Sequence, residues 1–274
     1  MKERSISCWE DFEREIGEIF HQYQSRCQGS RTFLHYPPLF RGQRKSSWPL
    51  TTTLERYTGQ PYTMRGYWEL IRNYVKCPVE SVTEKQWDLG KYSEEDLSPF
   101  DPPPGYEFMV YLRHHGFPSP LLDWTESPYV AAFFALRSFV DVNRQEDSEA
   151  EAAIYHYEEF PEGSKNWGKY EPHIRGLGPN IVTTHRHFRQ QSWYTVCRVL
   201  QEGSSEYGYA SHEEVFRKGD TSQDVLTKLR IPASSQKEFL DRFSLMNINA
   251  FTLFGTEESL METLAYKAIV TKPL

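Results

Sequence analysis

The sequence predicts an α+β fold in a single domain spanning residues 1–274, with N-terminal and central helices around a mixed or antiparallel sheet. Three observations carry this. The chain opens on an amphipathic helical repeat, and "YVAAFFALRSFV" near its middle is apolar almost all round. Its second half holds β-branched and aromatic runs of strand length.

Ser7 and Glu10 form an S-x-x-E capping pair, and Trp9, Phe12, Ile16, Phe20 and Tyr23 keep helical spacing to a stop near Gly29. Residues 1–29 are therefore assigned to an N-terminal helix. "HYPPLFRGQ" is expected to be a short strand ending at Gly42. A second helix is expected over Met64 to Lys76, ended by Pro78. Residues 79–105 are polar and acidic and finish in three prolines; we assign them to a surface excursion.

A third helix, Tyr106 to His115, stops at Gly116. Ser127-Pro128 supplies an N-cap and a first-turn proline for the apolar core helix that follows. The strands are "AAIYHYE", "WYTVCRVL" and "LTKLRI", bracketing a basic loop, "HIRGLGPNIVTTHRHFRQQ". Ser235 and Glu238 form a second capping box before "QKEFLDRFSLMN". The apolar segment "INAFTLFG" leads to a last helix opened by Thr256, with Glu257 and Glu258 in the first turn where the dipole favours acids. No internal repeat or low-complexity tract is present.

The composition, 38% hydrophobic and 25% charged over 274 residues, suits a chain with a sizeable core. A mean hydropathy of −0.67 and the lack of a long uncharged apolar run argue against a membrane span, and no signal peptide is expected. Cytoplasmic localisation follows as the expectation. Cys8, Cys27, Cys77 and Cys197 are far apart with no C-x-x-C pair, which fits neither a zinc ribbon nor a disulfide framework. The net charge of −7 disfavours a general nucleic-acid coat protein. Charge is uneven, however. Arg41, Arg44, Lys45 and Arg56 cluster in "LFRGQRKSSWPLTTTLER", whereas "EDSEAEA" is acidic. Aromatic residues reach 15%, with seven tryptophans, so some are candidates for stacking on a ring.

Four stretches carry candidate chemistry. Arg41 beside Gly42 at a strand end offers a planar fork to phosphate, with the glycine allowing close ligand approach; a surface arginine in a turn is the plainer alternative. "LRHHGFPSPLLDWT" gathers His114, His115, Asp123 and Trp124. The histidines have no second ligand at metal spacing, so no metal site is expected. His114 is a candidate donor to phosphate or ribose, and Asp123 either orients a ligand or caps the following helix. In "HRHFRQQSWYT", strand alternation places Arg189 and Gln191 on one face and Gln190 on the other, with Gln191 the candidate ligand reader. Glu257 and Glu258 serve either as helix-start acids or as a catalytic pair.

Phe40-Arg41-Gly42-Gln43, Trp48-Pro49-Leu50 through Arg56, His114-x-Gly116, Leu121-Leu122-Asp123-Trp124-Thr125, Ser127-Pro128 and Ala131 to Ala135 together resemble the FRG domain family. The weaker "QQSWYT", "LRIP" and "TLFGTEESL" follow in that family's order, so the resemblance runs from residue 30 to about 270. Arg113 stands where the family usually has glutamine, Pro120 where it has arginine, and Ser192 where it has glycine. Phe254-Gly255-Thr256-Glu257-Glu258-Ser259 replaces Phe-Pro-Asp-Leu-Asp-Gly. The lost arginine at 120 implies either weaker anion binding or its shift to Arg113.

A second, weaker resemblance is to ADP-ribosyltransferases, whose early Arg-Gly strand and later Ser/Thr motif occur here in the same order. It implies that fold and NAD as substrate, cleaved at the nicotinamide–ribose bond with transfer to a protein, a nucleic acid or water. In that scheme Arg41 holds phosphate; Asp123, Trp124 and Thr125 hold the nicotinamide side; and Glu257 or Glu258 engages the ribose. Gly42, Gln43 and Gln191 are further cofactor-binding candidates, and His114 is a further catalytic candidate. The oxocarbenium character of such a cleavage needs a carboxylate and no metal. Two other expectations are a nucleotide-binding module without turnover, and a nucleic-acid hydrolase using His114 or His187 with Asp123. Family context points to bacterial toxin or phage-defence settings.

Overall fold

The structure is a computed structural model that describes residues 1–29, 36–59, 62–93, 97, 101–137, 151–161, 170–179, 181–182, 184–218 and 224–270. Most of the acidic stretch "EDSEAEA", and parts of the 79–105 excursion, lie outside the described residues.

In chain order the elements are β1 (Lys2–Ser5), α1 (Trp9–Gly29), β2 (Leu39–Gln43), α2 (Thr53–Thr58), α3 (Met64–Leu70), a π-turn (Ile71–Val75), α4 (Lys76–Thr83) and α5 (Tyr106–His114). Then come β3 (Leu122–Thr125), α6 (Pro128–Leu136), β4 (Glu151–Glu158), β5 (His173–Leu177), α7 (His185–Arg189), β6 (Ser192–Leu200) and β7 (Tyr207–Tyr209). The chain continues through α8 (His212–Lys218), β8 (Val225–Pro232), α9 (Gln236–Leu245), α10 (Ala250–Phe254) and α11 (Glu257–Ala265).

The strands form one open mixed sheet in the order β1-β8-β4-β2-β3-β6-β5, with β7 also on β6. Only β1 and β8 pair in parallel among the described strands. One half is long and regular: β4 and β8 run in register from Glu151↔Pro232 to Glu158↔Val225. Its face is covered by α1, α6, α9 and α10 through a cluster that includes Phe12, Phe40, Ala131, Ile154, Phe239 and Phe243. The other half, β5 and β6, packs Leu177, Tyr194 and Val196 against α3 and α5. On the opposite face Leu39, Leu50, Trp124, Tyr157 and Cys197 form a third cluster, with Val215 and Phe216 of α8 against it.

The sheet is weakest at its centre. β2 pairs with β4 over five positions but with β3 at Phe40↔Thr125 alone. Beyond that pair no further β2–β3 pairing occurs, and Phe40 and Ala131 of the first cluster and Trp124 of the third line the opening.

Several elements differ from expectation for local reasons. The first four residues after Met1 are an edge strand, so the N-terminal helix begins at Trp9. Ser7 turns to Asp11 rather than Glu10, through both its hydroxyl and its N–H. The second helix runs past Pro78 to Thr83. The π-turn restarts the hydrogen-bond pattern at Lys76, which puts Pro78 in a first turn, where a missing N–H is tolerated. Ser235 does not cap α9; its hydroxyl donates to the Ser7 carbonyl (2.8 Å), and Glu238 accepts the Trp9 N–H (3.3 Å), tying α9 to the start of α1. The basic loop is in part strand β5 and helix α7, and the apolar segment before Gly255 is helix α10.

The helix boundaries expected at Ser127-Pro128 and at Gly116 hold. Ser127 accepts the Val130 N–H with Pro128 at the first helical position. Gly116 takes a left-handed backbone (φ 86°) after α5. Among the described residues no helix is long and apolar enough to cross a membrane, and no group of three or more His, Cys, Asp or Glu residues is placed to hold a metal ion. The four cysteines are unbridged.

Candidate functional site

Where β2 and β3 part, a cavity of about 620 Å³ opens. β2 contributes Arg41 and Gln43, and the loop and helix after it contribute Arg44, Trp48 and Arg56. The last turn of α5 adds Arg113 and His114; β3 adds Asp123, Trp124 and Thr125; α7 adds Arg186.

Arg41 bridges the parted strands. Its Nη1 donates to the Asp123 carbonyl (2.7 Å) and to Asp123 Oδ1 (2.6 Å). A guanidinium thus satisfies backbone at the point where the strand ladder stops. Arg113 Nη2 donates to the same Oδ1 at 2.6 Å. Enclosure by protein opposes ionisation of Asp123, but the guanidiniums of Arg113 and Arg41 outweigh it and hold its carboxyl well below the usual carboxylate range. The Asp123 side chain keeps 45% exposure where it lines the cavity, so this is a half-open ion triad.

Charge in the lining is one-sided, with five arginines (41, 44, 56, 113 and 186) facing one carboxylate, Asp123. The arginines feel one another. Burial, and then Arg41 and Arg113, lower the Arg56 pKa; burial, and then Arg137, lower that of Arg186. The Nε atoms of Arg41, Arg113 and Arg186 are buried with no hydrogen-bond partner in the protein. Arg186 also lies 4.3 Å from the Phe254 ring centroid, and its Nη1 reaches the His114 carbonyl at 3.4 Å.

His114 heads a buried chain. Its Nε2 lies 2.8 Å from Tyr194 Oη, which lies 3.1 Å from His187 Nδ1, while His187 Nε2 lies 3.2 Å from the Pro179 carbonyl. Burial, with Arg186 and His187 nearby, pushes the His114 pKa down to about 4, so its ring is neutral at neutral pH.

Residues 37–144 match the family model of the FRG domain. The chain carries an FRG domain. All lining residues except Arg186, Gln190 and Ser192 fall inside that match, so the FRG segment builds most of the cavity and α7 with β6 closes it. No characterised protein and no solved structure gives a significant match.

Within the FRG segment the motif residues divide by task. Gly42 serves the fold: a Cβ there would lie 2.0 Å from the Ala131 carbonyl oxygen and 2.6 Å from the Ala135 nitrogen, because the backbone of α6 rests on β2. Close helix packing, rather than ligand approach, therefore sets that position. Trp124 is 4% exposed and packs on Tyr157, with its N–H donated to Thr195 (2.8 Å); it is a core residue at the cavity wall, not a ring at its mouth. The Thr125 hydroxyl is spent on the Gln190 carbonyl (2.7 Å) and the Ser127 N–H (3.0 Å). Asp123 does not cap α6, which Ser127 does, and faces the arginines instead.

Outside the segment the expected assembly is looser. Glu257 and Glu258 are exposed at the start of α11 and are not lining residues. Gln191 is exposed with a left-handed backbone (φ 47°), while Gln190 is buried and lines the cavity, its amide donating to the Leu253 carbonyl at 3.1 Å. Strand alternation misassigned the pair because residues 185–189 are helical. His114 and Asp123 are bonded to Tyr194 and to two arginines respectively, so the His–Asp pair foreseen for a hydrolase is not assembled.

The motifs marked Arg113 only as an alternative to the arginine lost at 120, and they left Arg186 and Trp48 without a role. Their signal was charge and aromatic content near the motifs, which becomes a site only when α5, α7 and the loop after β2 converge.

Proposed function

We propose that the FRG cavity binds a phosphate-bearing ligand of the nucleotide class, NAD among them. The carrying observation is the set of three buried guanidinium Nε–H donors without protein acceptors, in a lining of five arginines and one carboxylate. Guanidinium forks match phosphate geometry, and their mutual repulsion is relieved by an anion. Trp48, 44% exposed on the wall, offers a ring face for stacking, and the volume suits a small-molecule ligand.

Binding without turnover is the reading that this geometry supports best. ADP-ribosyl transfer, suggested by motif order, calls for a carboxylate beside the developing oxocarbenium ion. Asp123 is the lining carboxylate and is already held by Arg41 and Arg113, whereas Glu257 and Glu258 stand outside the lining. Incubating the protein with labelled NAD, following free nicotinamide and transferred label, and titrating NAD and ADP by calorimetry tests this. Saturable, salt-sensitive binding with no nicotinamide release is expected. Release that vanishes in Glu257→Gln or Glu258→Gln would favour the transferase, and absence of any binding would overturn the proposal.

A further inference from the structure

The chain of buried groups behind His114 has a fixed direction. A backbone carbonyl only accepts, so His187 Nε2, 3.2 Å from Pro179 O, carries the proton and leaves Nδ1 as an acceptor. The Tyr194 hydroxyl has one proton, and it goes to that Nδ1 at 3.1 Å. Its oxygen then accepts from His114 Nε2–H at 2.8 Å. His114 is left with its lone pair on Nδ1, and Nδ1 has no partner in the protein. The reverse direction needs a doubly protonated His187, which burial disfavours.

We propose that His114 is a specificity residue that accepts the hydroxyl proton of a ligand's ribose through Nδ1, its tautomer held by Tyr194 and His187 as positioning residues. This rests on the phosphate-binding reading of the same cavity. The arginines supply only donors, which phosphate oxygens satisfy well but which cannot accept a sugar's hydroxyl proton. A locked acceptor among them selects a ligand that carries a donor next to its phosphates, and in a nucleotide the ribose hydroxyls stand between phosphate and base. Gln43 Oε1 is a second buried acceptor without a partner, its Nε2 donating to the Pro49 carbonyl at 3.3 Å. Gln43 has no bond to Tyr194, so discrimination that came from it would survive in Tyr194→Phe.

The test compares ADP, 2′,3′-dideoxy-ADP and pyrophosphate by calorimetry on the wild-type protein and on Tyr194→Phe, with ¹⁵N NMR of the His114 ring. Wild-type protein is expected to bind ADP roughly five- to tenfold more tightly than the dideoxy compound, the range for one hydrogen bond. Its His114 spectrum should show the Nε2–H tautomer. In Tyr194→Phe the discrimination and the single tautomer should both disappear while pyrophosphate affinity stays. Equal affinity of the wild-type protein for ADP and dideoxy-ADP, with pyrophosphate bound, overturns the His114 inference and leaves the phosphate site intact. Discrimination that persists in Tyr194→Phe overturns it too. Failure of pyrophosphate itself to bind overturns the phosphate site and this inference with it.

Discussion

Arg41 Nη1 stands 2.7 Å from the backbone carbonyl and 2.6 Å from the carboxylate of Asp123, at the place where β2 and β3 stop pairing. One side chain thus closes an opened sheet and begins a cationic cavity. Arg113 meets the same carboxylate oxygen from α5, so Asp123 fixes two guanidiniums by one atom. Arg41→Lys keeps the charge but loses the fork. Pyrophosphate affinity should fall at least about tenfold, as for the loss of a charge-assisted bond. Unchanged affinity in a calorimetric titration would remove Arg41 from the site.

Asp123→Asn separates geometry from charge. The amide oxygen can still accept from both arginines, while the negative charge in the lining is gone. Pyrophosphate should bind severalfold more tightly at low salt, with the gain fading as screening increases. A loss of affinity at low salt would mean that the charge of Asp123 is needed to hold the guanidiniums in place.

Gly42→Ala should be severely destabilising. The new methyl would meet backbone of α6 at 2.0 Å, and neither strand nor helix can yield without opening the core. A loss of about 3 kcal/mol or more is expected, at the high end of overpacking. Gly17→Ala on exposed α1, where nothing lies within 4 Å, should instead stabilise by roughly 0.5–1 kcal/mol. Urea unfolding of the two variants checks both signs.

Acid stability follows from buried neutral histidines. Burial lowers the pKa of His114 to about 4 and that of His212 to about 3, whereas unfolded histidine titrates near ~6.5. Between those values the unfolded chain binds more protons, so stability rises with pH. It is complete above about pH 6.5 and is lost as pH falls toward the folded values. Asp123 acts in the same direction lower down: its contribution is present above its unfolded pKa of about 3.9 and disappears as pH falls toward its depressed folded pKa. Tm should therefore be level from pH 8 to 7 and decline from pH 6 to 4. A flat profile down to pH 4.5 would contradict the burial of these rings.

The sequence carried much of the fold where periodicity and caps agree. The helix from Tyr106 to the Gly116 stop, the Ser127-Pro128 start of α6 and the long strands β4, β6 and β8 are where they were expected. It failed where the decisive partner is distant. "LDWT" is a strand because β6 holds it, and Lys2–Ser5 is a strand because β8 offers an edge. For the site, Arg41, His114 and Asp123 were legible from their motifs, but the gathering of Arg113, Arg186 and Trp48 depends on three separate elements reaching one opening. Gly42 shows the opposite case: its motif was visible, and its task is packing.

The most direct measurement is calorimetric titration of pyrophosphate into the wild-type protein and Arg113→Gln at two salt concentrations. Saturable binding to the wild type that weakens with salt, and that drops at least about tenfold in a folded Arg113→Gln, is the expected result. No binding to the wild type, or equal binding to both proteins, would contradict an anion site built on these arginines.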